Sequence, residues 1–234
     1  RKTYSSSAAQ VQRIFIKHLE TSGWPPTNML SSTEIFDKLV APTLAESGRK
    51  VAYFLIDALR YELGTELERE LADEGDISLV ASFSVVPTVT PIGMASLMPL
   101  AHKSLNIRKK DDTIVPMLDD KEIKTVAQRM DWIKSKYGQR FQEAKLTEVI
   151  KPGFTKKLNG SVELLVIRSS TADGRMETDY EFGLPSITRD LQLIRVAVRR
   201  LREADFELAV IATDHGFCIN PDTDAGDTCP KPSG

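Results

Sequence analysis

Cysteine is nearly missing from this chain of 234 residues: Cys218 and Cys229 are the two present, and both sit in a Gly/Pro/Asp-rich tail. So placed, they build neither a disulfide framework nor a zinc ribbon, which fits a reducing, cytoplasmic compartment. Long hydrophobic runs are also lacking. No apolar stretch approaches the roughly 20 residues of a membrane-spanning helix, so no membrane partner is expected. An excess of one charge is lacking too. With 31 basic and 33 acidic residues the formal net charge is −2, which excludes a domain that grips nucleic acid through charge alone. There is no internal repeat and no low-complexity segment. The chain opens on Arg1-Lys2-Thr3-Tyr4, neither an initiator methionine nor a secretory leader, and closes from Pro221 to Gly234 in loop-like sequence. It reads as a piece of a longer protein.

What is present is an ordinary globular composition, with 41% hydrophobic and 27% charged residues, enough for one sizeable core with or without a small insertion. Helical spacing of Val11, Ile14, Phe15 and Leu19 predicts a first helix that Gly23-Trp24-Pro25-Pro26 ends. Ser31 and Glu34 fit a capping box, and Ile35, Leu39 and Val40 are the expected buried face of a second helix. Residues 1–48 are therefore expected to be a helical segment that packs on the core. From residue 49 the pattern alternates strand and helix. Val51–Ile56, 77–86, 162–167 and 208–212 read as strands, and 60–72, 91–98 and 187–204 as helices. Asp119 to Ile150 is charged and helical in pattern with no strand candidate, so a helical cap insertion is expected over about 103–158. The fold class is α/β: a mostly parallel sheet with helices on both faces, over 49–234.

Ligands of such sheets bind beside the carboxyl ends of the strands. Asp57 directly follows the run Tyr53-Phe54-Leu55-Ile56. Asp214 and His215 directly follow another strand, and Gly216 permits the bend that lets both reach one point. Thr90 precedes Pro91 at a helix start, where its hydroxyl is either a plain N-cap or a nucleophile. Thr88 is the competing hydroxyl. Asp173 and Glu177, at i, i+4 after the third strand, make a second carboxylate pair. Two carboxylates, an imidazole and a hydroxyl suit a metal-dependent phosphoryl-transfer site. Arg195, Arg199 and Arg202 at helical spacing read as a solvated face, and Arg108-Lys109-Lys110 as a loop charge run.

Four stretches carry a family resemblance between about Lys50 and Phe217: Phe54-Leu55-Ile56-Asp57-Ala58-Leu59-Arg60-Tyr61-Glu62, Pro87-Thr88-Val89-Thr90-Pro91, Ala172-Asp173 with Glu177, and Thr213-Asp214-His215-Gly216-Phe217. Their order and co-occurrence resemble the alkaline-phosphatase superfamily, and more closely its PglZ branch, found in bacteriophage-exclusion (BREX) defence systems and as output domains of some response regulators. The resemblance implies that Thr90 is a nucleophile forming a covalent phospho-intermediate. It implies Asp57, Asp214 and His215 as ligands of the metal that activates it, and Asp173 as a ligand of a second metal. Two departures stand out. Many members have a histidine where this chain has Glu177, and no histidine follows His215 here. Zinc is the implied metal at two sites. An oxygen-rich second site with Glu177 also accepts manganese or magnesium.

The expected activity is metal-dependent hydrolysis of a phosphate ester or diester, with nucleic acid or an oligonucleotide among the candidate substrates and other defence-system proteins as partners. The rival from another class is a catalytically impaired scaffold or binding module within a defence complex, which metal content and turnover of a generic diester separate. A sulfatase is disfavoured because no Cys-x-Pro-x-Arg segment exists. A phosphomutase is not marked by any sugar-phosphate pocket.

Overall fold

The computed structural model describes residues 2–24, 26, 28–169 and 180–216. Helix α1 (Lys2–Ser22) opens the chain, and strand β1 (Leu30–Ser31) leads into a helical stretch that ends in α2 (Ala41–Ala45). Next come β2 (Val51–Ile56), α3 (Tyr61–Leu71) and β3 (Ser82–Phe83), the last paired in parallel with β1. Helices α4 (Thr90–Ser96) and α5 (Ala101–Ser104) precede an antiparallel sheet of β4 (Asn106–Lys110), β5 (Thr113–Leu118) and β6 (Lys121–Glu122). Helix α6 (Val126–Tyr137), β7 (Phe141–Lys145), α7 (Leu146–Val149), β8 (Leu164–Ser169), α8 (Tyr180–Arg202) and β9 (Leu208–Thr213) follow.

The main sheet has the order β7-β8-β2-β9, with every pair parallel. All six residues of β2 are buried, as a central strand covered on both faces requires. Alternate side chains part to two cores. Val51, Tyr53 and Leu55 join Phe36, Val40, Met98 and Ile133 on one face, whereas Ala52, Phe54 and Ile56 meet Leu67, Leu71, Leu191 and Ile194 of α3 and α8 on the other. The α/β fold with helices on both faces is thus present.

Several local expectations need correction. The Ser31–Glu34 capping box forms, but the helix behind it widens to a π turn over Phe36–Val40. That extra residue per turn rotates the inward face to Ile35, Phe36, Val40 and Leu44 and leaves Leu39 37% exposed. Within 1–48 these four residues enter the core, while Val11, Ile14 and Ile16 of α1 stay exposed. The β-branched stretch 77–86 supplies only the two-residue strand β3, and Ile77, Val80 and Val86 face outward.

The range about 103–158, expected to be a helical cap, holds a three-stranded sheet and β7, an edge strand of the main sheet. Composition hid both. β4 is fully exposed and charged, its Arg108 and Lys110 paired with Asp120 and Glu122. β7 buries Ala144 alone of its five residues, and its Glu143 pairs with Arg168 at 2.8 Å. An edge strand needs only half an apolar face, so its pattern is weak. The α6 start was likewise written in Thr125 and Gln128, which form a second capping box.

Phe36 is fully buried and meets the Tyr53 ring edge-on at 5.4 Å. Phe36→Ala should lower unfolding free energy by about 3–5 kcal/mol in urea titrations, whereas Leu39→Ala should cost well under half as much. A larger loss at Leu39 would restore the regular helical register over 35–40.

Candidate active site

Parallel registry brings the site together. Ile56 of β2 lies opposite Thr213 of β9, so Asp57 and Asp214 leave neighbouring strands at the same level. Asp57 N–H extends the ladder by donating to Ser169 C=O at 3.1 Å. The chain then turns at Ala58, whose φ is 55°, and Ala58 N–H donates to Asp214 Oδ1 at 3.1 Å. Leu59 N–H donates to Thr213 Oγ1 at 2.9 Å, and that hydroxyl donates to His215 C=O at 2.9 Å. Strand β9 ends at Thr213, so Asp214 and His215 escape the strand's alternation and can aim at one point. Helix α3 starts at Tyr61 behind Arg60, whose side chain forms no cap.

Thr90 is the first residue of α4, after Val89, and its side chain makes no capping bond. Its Oγ1 lies 3.1 Å from His215 Nε2 instead. His215 Nδ1 lies 2.9 Å from Gly216 C=O. In a neutral imidazole Nδ1 then carries the hydrogen and donates to Gly216, which leaves Nε2 as acceptor for the Thr90 hydroxyl. Thr88 is exposed. Of the two hydroxyls, the structure brings Thr90 to the cluster.

One ligand atom each from Asp57, Asp214 and His215 lies within 4.8 Å of the others. Asp57 is 6% exposed and Asp214 fully buried. Burial pushes the Asp214 carboxyl above the usual carboxylate range, opposed by His215 and by the N–H groups of Ala58 and His215. Its Oδ2 is buried and, among the described residues, accepts no hydrogen bond, although His215 Nε2 is 3.3 Å away. An acceptor nitrogen beside an unsatisfied carboxylate oxygen is a donor set for a cation. The residues present fit a divalent metal with nitrogen and oxygen ligands.

Close packing holds this corner. A Cβ on Gly93 would stand 2.8 Å from Asp214 Cβ, so α4 can approach the strand end only with glycine there. Ser84 Oγ donates to Asp214 C=O at 2.8 Å, and Trp24 Nε1 donates to Ser84 C=O at 2.9 Å. The aromatic run Phe15, Trp24, Phe83, with centroids 5.2 and 4.7 Å apart, thereby reaches the cluster.

Asp173 and Glu177 lie outside the described residues. Of the other histidines, His18 is exposed and His102 bonds Asp37 at 3.0 Å. Arg195 and Arg202 pair with Asp73 and Glu74, and Arg199 with Glu203. Sequence reasoning missed Arg129. It is 6% exposed and lines a cavity of about 240 Å³ together with Asp57, Thr90, Lys145 and Arg168. Its signal was a charge among the buried positions of α6, beside Met130, Trp132 and Ile133, where an arginine is rare unless it has a partner.

Residues 35–228 match the family described as the BREX system PglZ alkaline phosphatase-like domain. The chain is 27% identical over 208 residues, 86% of its length, to the alkaline phosphatase-like protein PglZ of Bacillus cereus (strain H3081.97). It is 25% identical over 203 residues, 83% of its length, to the alkaline phosphatase-like protein BrxZ of Escherichia coli O9:H4 (strain HS). The match covers 23% of each relative, so the chain spans about a quarter of their length. Among the described residues no helix is long and apolar enough to cross a membrane.

Two outcomes follow from the buried carboxylate. A folded-state pKa above the unfolded value means that the metal-free fold is helped by the Asp214 proton. That help is complete below the unfolded pKa, fades as pH rises toward the folded pKa, and is gone above it. Asp214→Asn keeps the oxygen that Ala58 bonds and removes the charge. Metal-free Asp214→Asn should therefore melt higher than wild type at neutral pH, with the gap closing toward pH 4, while zinc raises the melting temperature of wild type far more. Gly93→Ala should lower the melting temperature and weaken zinc binding together in calorimetry. An unchanged zinc affinity would detach α4 from the cluster.

Proposed function

The chain belongs to the PglZ alkaline phosphatase-like family, and on that premise we propose that it is a metal-dependent phosphoric ester hydrolase with Thr90 as nucleophile. The observation that carries this is the 3.1 Å contact between Thr90 Oγ1 and His215 Nε2, made by a hydroxyl that caps no helix and stands within one cluster of Asp57, Asp214 and His215.

Asp57, Asp214 and His215 would hold the first metal, with zinc as the proposed ion and manganese or magnesium as alternatives. Asp173 with Glu177 would supply ligands of a second. When bound, the metal ions supply positive charge that lowers the pKa of the threonine hydroxyl and neutralises charge building on the phosphoryl oxygens. Thr90 Oγ1 forms the bond to phosphorus in line with the departing ester oxygen, and the proton that the threonine hydroxyl gives up ends on that oxygen, which leaves as the alcohol. Water then splits the phosphothreonine, returning a proton to Thr90 and releasing phosphate from a monoester or the remaining phosphomonoester from a diester. Asp214, pinned by two N–H donors, cannot swing away, and Ala58 and Leu59 lock the turn that carries Asp57.

The substrate is a phosphate ester or phosphodiester, and the setting is cytoplasmic anti-phage defence together with other proteins of that system. The description of the matching family, which names the BREX system, supports that setting.

Thr90→Ala should abolish hydrolysis of a chromogenic diester while shifting the melting temperature little, because no cap is lost. Wild type quenched in acid during turnover of the diester should carry, on the Thr90 peptide, the mass of one phosphoryl group with its remaining ester substituent, and Thr90→Ala should carry none. Wild-type turnover by the alanine variant would sink the nucleophile. Calorimetric zinc titration should show one tight event removed by Asp214→Ala and a weaker one removed by Asp173→Ala. Tight metal binding without any turnover would turn the reading to a binding module.

A further inference from the structure

Two cavities flank the cluster. The larger, about 470 Å³, runs along the open edge of β9 past His215 and Gly216 but has neither Thr90 nor Asp57 on its wall. The smaller, about 240 Å³, has both. A phosphorus attacked by Thr90 must therefore sit on the smaller side. That cavity is below the roughly 300–1,000 Å³ of pockets that enclose a drug-sized ligand, so it holds charged groups of a substrate whose body extends into solvent.

Its walls are unbalanced. Among the described residues on these walls, Arg129, Lys145 and Arg168 face one acidic side chain, Asp57. Arg129 donates from Nη1 to the carbonyls of Ile123 at 3.4 Å and Lys124 at 2.5 Å, and no ion pair holds it among the described residues. Burial lowers its pKa to about 10, and Arg168 adds to that, while Asp214 and Asp57 resist it. It remains a cation at neutral pH. Lys145 and Arg168 are register partners at the carboxyl ends of β7 and β8. Like charges on adjacent strands repel, and Glu143 offsets Arg168 only, at 2.8 Å. Lys145 is exposed and has no ion pair among the described residues. Three mutually repelling cations at the ligand-binding edge of a parallel sheet make an anion site larger than one phosphoryl group needs.

We propose that this cavity is a second-phosphate subsite: Arg129 holds the phosphoryl group nearest the carboxylates, and Lys145 with Arg168 hold a further phosphate of the same substrate. The assignment rests on Thr90 as nucleophile for the identity of the first phosphate. The substrate class is then a phosphate ester or diester carrying at least one additional phosphate, either spaced by a sugar as in an oligonucleotide or contiguous as in a nucleoside polyphosphate derivative.

The subsite can be tested without catalysis. Metal-free protein, titrated in chelator with orthophosphate and with methylenediphosphonate, should bind the diphosphonate about tenfold tighter. Lys145→Gln with Arg168→Gln should erase that preference and spare orthophosphate binding. Lys109→Gln with Lys110→Gln, the same loss of two charges on β4, should alter neither. Arg129→Lys should weaken both anions in parallel. Equal affinity for the two anions, or a preference that survives the double variant, overturns the subsite, and unchanged orthophosphate binding in Arg129→Lys removes Arg129 from it.

Turnover then separates the two sources. A higher kcat/KM for thymidine 5′-(p-nitrophenyl phosphate) when a 3′-phosphate is added marks an oligonucleotide-type substrate. A higher value for the p-nitrophenyl ester of adenosine diphosphate than for that of the monophosphate marks contiguous phosphates. A gain in neither overturns the substrate class. No turnover of any of them sinks the Thr90 reading, while the diphosphonate titration still decides the subsite.

Discussion

One buried carboxylate organises this molecule. Asp214 Oδ1 accepts from the turn after β2 and from its own successor, while its backbone C=O accepts from Ser84 and its Cβ abuts Gly93. Four segments separated in sequence thus meet on a single residue. Taking such a group out of water is costly unless hydrogen bonds or opposite charge compensate. The two N–H donors satisfy one oxygen. The other accepts no hydrogen bond among the described residues, and a bound cation would offset the cost of burying it.

The sheet, its two-sided burial and the meeting of Asp57, Thr90, Asp214 and His215 were legible because each rests on a strong local pattern. A six-residue apolar strand has no competing reading in this context, and an acidic residue at its end can lie only at the ligand-binding edge. Leu39 and the stretch 77–86 misled because local composition could not know that a π turn would rotate one helix, or that β-branched residues would find no long strand to pair with. β7 stayed hidden for the opposite reason: an edge strand with a polar outer face shows little apolar alternation. Arg129 was overlooked since its charge made it look like solvated helix surface.

Arg129 also bears on how two buried carboxylates coexist. Asp57 and Asp214 would repel each other across a low-dielectric corner, and the field of the nearby guanidinium offsets part of that repulsion. The acidic cluster and the basic cavity are therefore halves of one electrostatic arrangement, with Thr90 on the boundary between them. A substrate phosphate would exchange guanidinium–carboxylate attraction for its own, which ties anion affinity to the state of the carboxylates.

The link from Trp24 through Ser84 to Asp214 has an optical consequence. The chain has two tryptophans. Trp132 donates to Pro99 C=O and lies beneath the Lys136 ammonium, 4.2 Å from the centre of its ring, so its hydrogen bond does not run to Asp214. Trp24 instead hangs on the carbonyl of the residue whose hydroxyl grips Asp214. Movement at the carboxylate would reach that indole through two hydrogen bonds, which makes the emission of Trp24 the native signal to follow at this centre.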